Sequence, residues 1–433
     1  MNDPEPEDEE RYPLLGEAGR ELMRGLREHP AAPIFRNRSG NRLTSEDLAR
    51  VLEIEREVGT SQVRWAPGEK PGWLAGFLAR ALSHVPHYRG YGRTQAELEE
   101  LPSITRGDLG RDIAAFVPDD LPIERMINFR TSGTTGHPLL VASHPTVAAS
   151  YLAFHKKALR HFGVELRAGA GRVGVALVGY QRKCFTYVSV TPQMGESALV
   201  KLNLHPDDWR DPDDRARYLD ALDPEMYTGD PVSFSELVTL PLRTRPRALL
   251  STSMTLLPET RRRLEDRFAC PVIDVYSLNE AGPVAFDAGD GTWHLLQHEL
   301  YVELVDGEIT LTGGMNPWLP LVRYRTGDYA ELVFHGGEPR LVGLAGRAPT
   351  RFRTESGELL NNIEVTHALA GFALPQWTLL QRRDGSFDFR TSAGNATVLR
   401  AALLSLFGAN ARIDVATDAV FDGKVRQYVS ELE

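Results

Sequence analysis

Residues 131–138 (TSGTTGHP) have the side chains of an anion-binding loop. Their hydroxyl groups can donate hydrogen bonds, and the glycines let backbone N–H groups come close to a bound anion. Apolar residues stand on both sides, at Ile127 and Phe129 before the loop and at Leu139 to Val141 after it, and they predict short strands that form a hairpin. Taken alone, the stretch also fits an ordinary Ser/Thr/Gly-rich surface turn.

A carboxylate ends the stretch 272–280 (VIDVYSLNE), which predicts a buried strand. Ligands of parallel α/β sheets bind at the carboxyl edge of the strands, where Glu280 would lie. A carboxylate at that edge suits Mg²⁺, which prefers oxygen ligands and often joins protein to phosphate. Tyr276 could offer a flat apolar face to a nucleobase. The stretch therefore predicts a metal and nucleotide site, with a purely structural role as the alternative.

Two charged stretches nearer the C-terminus could contribute to the same chemistry. In 323–328 (RYRTGD), Asp328 follows a glycine, and a carboxylate on a tight turn can accept hydrogen bonds from the vicinal hydroxyls of a ribose. In 423–426 (GKVR), the glycine beside Lys424 allows the ammonium group to be presented on a loop. Each stretch alone is more often structural, so only their combination is informative.

The elements that must position these residues begin with a helical lead-in. Residues 1–12 are acidic and rich in proline, which is typical of disorder. Residues 13–115 show apolar residues at helical spacing, with capping patterns that predict helix starts at Thr44 and Thr94 and an apolar-faced helix at 73–85. We therefore expect helices before the first loop.

The remaining pattern predicts an α/β fold. Strands and helices alternate after the loop, which indicates helix-covered, largely parallel sheets, and hairpin spacing at 293–335 indicates a β-rich subdomain. The last residues predict a small α+β unit with a hairpin that turns at Asp384. We expect a large N-terminal domain at 1–345 and a small C-terminal α+β lid domain at 346–433.

Composition limits the classes of function. The 433 residues suffice for two or more domains, and 42% hydrophobic and 25% charged residues are those of an ordinary globular protein. The net charge of −10 argues against a nucleic-acid or anionic-membrane surface. Cys184 and Cys270 lack a CxxC context, and the acidic N-terminus has no apolar segment, so we expect a cytoplasmic protein without disulfides. No apolar run reaches the roughly 20 residues of a membrane-spanning helix.

Other matches to cofactor and metal motifs lack the neighbouring residues or elements that those motifs require. Residues 169–174 (GAGRVG) match the dinucleotide fingerprint, but a predicted helix precedes them and a strand follows, the reverse of the order that fingerprint needs. His137 stands where a Walker loop has lysine. His294 and His298 have helical metal-pair spacing but lie in a strand pattern.

Five stretches together resemble the adenylate-forming superfamily, which includes acyl-CoA synthetases, peptide-synthetase adenylation domains and luciferases. TSGTTGHP, DVYSLNE, RYRTGD, GLAGR and GKVRQY occur in the order and approximate spacing of that family. The length and the stretch HYRGY…ELEELPSITRGDL are most similar to the phenylacetate–CoA ligase branch. The resemblance covers about residues 70–433. It implies that ATP activates a carboxylic acid to an acyl adenylate, which is then transferred.

The resemblance also implies roles for single residues. The loop would hold the β- and γ-phosphates of ATP, and Glu280 with Thr134 would hold Mg²⁺. Lys424 would bridge the substrate carboxylate and the α-phosphate, so Glu280 and Lys424 are the expected catalytic residues. The expected ATP-binding residues are Thr131, Ser132, Gly133, Thr134, Thr135, Gly136, His137, Tyr276, Ser277, Asn279, Asp328 and Arg347.

The acyl group is normally passed to coenzyme A in this family, after the C-terminal domain rotates. We expect an aromatic acid, and a pocket lined by Tyr180, Phe185, Tyr187, Gly229 and Asp230. The three aromatic residues of this set fit a place in the hydrophobic core equally well. The expected partners are this small-molecule acid and either coenzyme A or an amine acceptor, with neither nucleic acid nor membrane. A homodimer is one expected assembly.

Several positions depart from the family pattern. His137 replaces a lysine, Asn279 a Thr or Ser, Ser277 a glycine, and residues 252–254 (TSM) replace Gly-Ala-Glu. The hinge position, usually Asp, is Pro349, and proline fixes φ and removes a donor, so rotation there should be restricted or shifted. The first half-reaction is therefore better supported than the second. Three functions stay open: an acyl-CoA ligase, an amide synthetase that passes the adenylate to an amine, and a nucleotide-binding homologue without turnover.

Overall fold

The structure is a computed structural model of the chain. It describes residues 8–130, 139–182, 184–254, 256, 258–345, 350–369, 372, 377–391, 394–419 and 428–432. These residues fall into two compact units, the first drawn from residues up to 106, 112–128 and 142–347, the second from 107–111, 129–141 and the residues after 347. The predicted domain boundary at 345/346 stays a prediction, because residues 346–349 lie outside the described residues.

The described helices are α1 (Asp8–Arg11), α2 (Glu17–Glu28), α3 (Ser45–Thr60), α4 (Leu74–His84), α5 (Pro86–Arg89), α6 (Arg106–Arg111), α7 (Pro145–His161), α8 (Asp214–Leu222), α9 (Pro231–Leu237), α10 (Pro258–Phe268), α11 (Asn362–Leu369) and α12 (Ala396–Phe407). Short 3-10 turns lie at Leu98–Glu100, Ile113–Phe116, Pro192–Met194 and Pro206–Asp208. None of the described helices is long and apolar enough to span a lipid bilayer.

The described strands are β1 (Ile104–Thr105), β2 (Ile127–Arg130), β3 (Leu140–Ser143), β4 (Val173–Gly179), β5 (Tyr187–Thr191), β6 (Ser197–Asn203), β7 (Met226–Gly229), β8 (Ala248–Thr252), β9 (Val272–Leu278), β10 (Gly282–Asp287), β11 (Thr292–Leu295), β12 (Leu300–Val305), β13 (Glu308–Gly313), β14 (Leu321–His335), β15 (Glu338–Ala345), β16 (Arg351–Arg353), β17 (Leu359–Asn361), β18 (Trp377–Gln381), β19 (Phe387–Thr391), β20 (Ile413–Ala416) and β21 (Tyr428–Ser430). Strands β2 and β3, which precede and follow residues 131–138 in the chain, pair with each other.

The first unit is built on one mixed sheet. Its strand order is β12-β13-β14-β15-β11-β10-β9-β8-β7-β4-β6-β5, and β1 pairs with β14 outside this path. Strands β6, β4, β7, β8 and β9 are parallel, whereas β10 pairs antiparallel with β9, and every pairing from there to β12 is antiparallel. The predicted parallel region and the predicted hairpin region are therefore two halves of one sheet.

Apolar side chains cover both faces of the parallel half, as expected for strands that are joined by helices. On one face, Phe154 and Ala158 of α7 pack with Val175 and Ile273. On the other face, a second cluster includes Tyr227 of β7. This double burial explains why these strands read as continuous apolar runs in the sequence.

The second unit has its own core. Strands β20, β19, β18 and β21 form a sheet in that order, and β18 and β19 are the predicted hairpin around Asp384. Trp377 and Phe389 of the sheet are buried together with Leu403 of α12. The α+β composition predicted for this region is observed.

One helix start was predicted correctly and one was not. Thr44 caps α3, and Asp47 completes the predicted capping box. The predicted helix start at Thr94 is wrong, since the chain there forms only the 3-10 turn Leu98–Glu100. The carboxylate of Glu97 pairs with Lys70 instead of closing a capping box, and Pro102 disfavours helix at the residue before it.

Candidate active site

Glu280 lies in the turn between β9 and β10, where the sheet changes from parallel to antiparallel. This is the carboxyl end of the parallel strands, as the sequence predicted. The local fold follows from the residues, because β9 begins with the buried apolar residues Val272 and Ile273, and Gly282 has a φ of +78°, which allows the chain to reverse into β10. Asn279 is exposed in the same turn, and Ser277 pairs with Pro283 across the two strands.

The carboxylate of Glu280 has two donors on one oxygen. Arg106 donates from Nη1 to Oε1 over 2.6 Å, and the Tyr324 hydroxyl donates to the same oxygen over 3.0 Å. The Glu280 side chain is only 3% exposed, so the contact with Arg106 is an ion pair with a buried carboxylate. Burial, with the charge of Glu280 beside it, raises the pKa of Tyr324 well above its usual value. The phenol therefore stays protonated and can donate at neutral pH.

Arg106 and Tyr324 reach Glu280 because β1 runs beside β14. In this parallel pairing Ile104 faces Tyr324 and Thr105 faces Arg325, and Arg106 is the next residue of the chain. Both residues lie in stretches that resemble the family, but the sequence predicted no role for either of them. No local pattern marks them, since the signal is a pairing of distant segments.

Tyr276 of β9 donates a hydrogen bond from its hydroxyl to Oδ2 of Asp328 on β14 over 2.8 Å. In the sheet order β14 is four strands from β9, which in a flat sheet would separate them by roughly 19 Å. The antiparallel half must therefore curl, so that β14 returns over β9. This curl brings the expected adenine-facing tyrosine and the expected ribose-binding aspartate together.

The charge of Glu280 also affects a further tyrosine, Tyr151. Burial, followed by the negative charge of Glu280, raises the pKa of Tyr151 on α7 to about 12. One turn further along α7, burial lowers the pKa of His155 to about 4. Both side chains are neutral at physiological pH, and neither was singled out from the sequence.

The expected pocket residues lie at or just beyond the ends of β4, β5 and β7. Phe185 and Tyr187 meet edge to face, with ring centroids 5.8 Å apart, and Phe185 is 52% exposed. Tyr180 follows β4, and its ring centroid lies 5.7 Å from that of His205.

The other two expected pocket residues have structural explanations of their own. Asp230 caps α9 by accepting a hydrogen bond from the Ser233 amide. A Cβ on Gly229 would lie 2.9 Å from the carbonyl oxygen of Val178, so close strand packing accounts for this glycine. Their assignment to the pocket stays a prediction.

The donor set of Glu280 fits a magnesium ion. Both hydrogen bonds go to Oε1, and no described residue donates to Oε2, which leaves that oxygen available to a hard cation. Among the described residues, no group of three or more His, Cys, Asp or Glu side chains could hold a metal ion. A magnesium ion at Glu280 would therefore take its other ligands from phosphate and water, as this ion commonly does.

Several predicted residues lie outside the described part of the chain. These are Thr131, Ser132, Gly133, Thr134, Thr135, Gly136, His137, Arg347, Pro349 and Lys424. Of the segment TSM at 252–254, Ser253 has a φ of +73°, a left-handed backbone that is unusual for a residue with a side chain. The segment thus carries local strain near the expected adenine site.

No protein-family model matches the sequence, and no curated protein matches it. Several solved structures are similar to this one. The chain is similar to 2-hydroxyisobutyryl-CoA ligase in complex with 2-HIB-AMP and CoA, with a TM-score of 0.51 and 17% identity over 90% of this chain and 91% of that one. It is also similar to the amide bond synthetase McbA from Marinactinospora thermotolerans, with a TM-score of 0.42 and 17% identity over 94% and 91% of the two chains.

A third similar structure is malonyl-CoA ligase with methylmalonyl-CoA and AMP bound, with a TM-score of 0.40 and 19% identity over 68% of this chain and 71% of that one. The chain has the fold of the adenylate-forming superfamily. The resemblance drawn from the five motifs is confirmed at the level of the fold, and the phenylacetate–CoA ligase branch stays a prediction.

Proposed function

We propose that the protein is an ATP- and Mg²⁺-dependent enzyme that activates a carboxylic acid as its acyl adenylate. The observation that carries the proposal is the convergence of Glu280 with the Tyr276–Asp328 pair at the carboxyl end of the parallel strands. Dinucleotide and nucleotide ligands of α/β sheets bind at this edge. Three residues expected from two separate motifs, DVYSLNE and RYRTGD, thus share one region of an adenylate-forming fold.

In the proposed reaction, a substrate carboxylate oxygen attacks the α-phosphorus of ATP, and the bond to pyrophosphate breaks as the acyl–phosphate bond forms. Asp328 would hold the ribose hydroxyls, with its carboxylate oriented by Tyr276. Lys424 would neutralise the charge that accumulates at the α-phosphate, and residues 131–136 would hold the other phosphates. A magnesium ion at Glu280 would supply further positive charge at the phosphates.

The exposed Phe185 beside Tyr187 supports an aromatic acid as substrate, because aromatic rings pair favourably with each other. We infer transfer to coenzyme A as the second step. An amine acceptor is the second candidate, and Pro349 at the expected hinge position favours it, because proline restricts the rotation that precedes thioester formation in this family.

The proposal is tested by pyrophosphate release from ATP with a panel of carboxylic acids. Release that depends on one aromatic acid and is lost in Glu280→Gln is the expected result. Mass spectrometry of the products after addition of coenzyme A or amines then separates the two acceptors. Nucleotide binding without pyrophosphate release from any acid would instead identify a homologue without turnover.

A further inference from the structure

We propose that Arg106 controls the loading of the metal at Glu280, so that the divalent cation is admitted with the nucleotide and not alone. In the proposed function Glu280 is the magnesium ligand, and the inference rests on that assignment alone. It adds a regulatory role for a residue whose contact with Glu280 the sequence did not reveal.

The ion pair between the two side chains is unevenly buried. Nη1 of Arg106 lies 2.6 Å from Oε1 of Glu280, and the exposed fraction is 27% for the arginine side chain and 3% for the glutamate side chain. The carboxylate is therefore held inside the protein, whereas the arginine side chain as a whole is partly exposed, although its Nε is buried. Of the two partners, the arginine has the longer and more exposed side chain, so a change in the contact would involve a movement of Arg106.

The backbone keeps Arg106 next to this carboxylate. Strand β1 ends one residue before Arg106 and pairs with β14 at Tyr324, whose hydroxyl binds the same Oε1. Two donors on Oε1 leave Oε2 without a donor among the described residues. Arg106 thus lies beside the oxygen that would take the metal, without covering that oxygen with a hydrogen bond.

Electrostatics makes Arg106 a barrier to a free cation. The guanidinium neutralises most of the attraction that Glu280 would exert, and it repels a divalent ion in a region of low dielectric. A triphosphate brings several negative charges, which offset this repulsion. Its phosphates can also replace Glu280 as the ion-pair partner of Arg106. The metal is therefore admitted as its nucleotide complex, and the carboxylate does not capture free magnesium.

The test measures metal binding to the full-length protein without nucleotide. Mn²⁺ is titrated as the probe, and the free ion is followed by electron paramagnetic resonance. We expect Arg106→Gln to bind Mn²⁺ about tenfold more tightly than the natural protein, since a positive charge beside the metal is removed. Arg106→Lys retains the charge and should resemble the natural protein.

Matched variants show whether the higher Mn²⁺ affinity of Arg106→Gln arises at Glu280. Arg261→Gln removes an arginine with the same 2.6 Å distance to a carboxylate, that of Asp287, and should leave Mn²⁺ affinity unchanged. The double variant Arg106→Gln/Glu280→Gln should lose the increase in Mn²⁺ affinity. An unchanged or lower affinity in Arg106→Gln overturns the inference, as does a gain that survives the loss of Glu280.

Folding of each variant is checked by circular dichroism, and Arg106→Met serves as a second neutral variant if Arg106→Gln does not fold. The proposed function fails separately, if no acid supports pyrophosphate release while the Glu280-dependent gain in Mn²⁺ affinity is still seen. The inference fails separately, if pyrophosphate is released but neither neutral variant gains affinity.

Discussion

The Tyr276 hydroxyl donates a 2.8 Å hydrogen bond to Oδ2 of Asp328, although the two residues are 52 positions apart. Burial and the charge of Asp328 raise the pKa of Tyr276 well above its usual value, so the donor stays protonated at neutral pH. The hydrogen bond orients a carboxylate that we expect to meet a ribose. It also joins the two halves of the curled sheet.

Removing this hydrogen bond should weaken nucleotide binding. Tyr276→Phe keeps the ring but leaves Asp328 without the donor, and a net hydrogen-bond contribution of about 1 kcal/mol corresponds to roughly fivefold weaker binding. The measurement is calorimetric titration with a non-hydrolysable ATP analogue. Tyr329→Phe is the control, because Tyr329 follows Asp328 on β14 and is 46% exposed. Equal affinities of Tyr276→Phe and the natural protein would argue against the ribose role of Asp328.

Lys424 should be needed for chemistry and not for nucleotide affinity. Lys424→Ala removes the cation expected between the substrate carboxylate and the α-phosphate, where charge accumulates during attack. We expect acid-dependent pyrophosphate release to fall by at least about a hundredfold, the size of effect seen when a transition-state donor is removed. ATP binding should be almost intact. Arg426→Ala, two residues further on, is the matched control, and normal turnover in Lys424→Ala would refute the assignment.

Asp274 on β9 should make stability depend on pH. Burial raises the pKa of this carboxyl to about 6, so the folded chain binds its proton more tightly than the unfolded chain. Stability is therefore lost as pH rises from about 4 to about 6, and it is not regained above that range. Asp274→Asn avoids the buried charge and keeps an oxygen that can accept from the Leu256 amide.

We expect Asp274→Asn to raise the free energy of unfolding by about 1 to 3 kcal/mol at pH 8 and to change it little at pH 4. Urea unfolding at both values is the measurement. Asp266→Asn, at an exposed position on α10, is the control and should have little effect at either pH. A gain that is the same at pH 4 and pH 8 would contradict the burial of an ionised Asp274.

The capping box of α3 should contribute measurably to stability. Thr44 accepts a hydrogen bond from the Asp47 amide, and Asp47 accepts one from the Thr44 amide. Thr44→Ala should lower the free energy of unfolding by about 1 kcal/mol. Thr44→Ser keeps the hydroxyl and should therefore keep most of the stabilisation that the cap provides. Thr60→Ala, at the other end of the same helix, should cost less. A shift in the urea midpoint that is no larger for Thr44→Ala than for Thr60→Ala would exclude a capping role.

The sequence by itself predicted most of the elements, and it supplied the hypothesis for the residues of the candidate site. Apolar periodicity and caps are local, so they located the start of α3 at Thr44, the apolar-faced helix α4 and the turn of the β18–β19 hairpin. The five motifs identified the fold, because their order along the chain is itself sequence information. Thr94 was assigned wrongly because its capping pattern cannot show that Glu97 pairs with Lys70.

The tertiary structure alone decided which side chains meet. Arg106 and Glu280 are 174 residues apart, and Tyr276 and Asp328 are on strands that are not neighbours in the sheet. Both contacts depend on strand order, on the pairing of β1 with β14 and on the curl of the antiparallel half. These are set by the packing of the whole unit, so no local spacing in the sequence could reveal that the expected metal ligand is bound by an arginine.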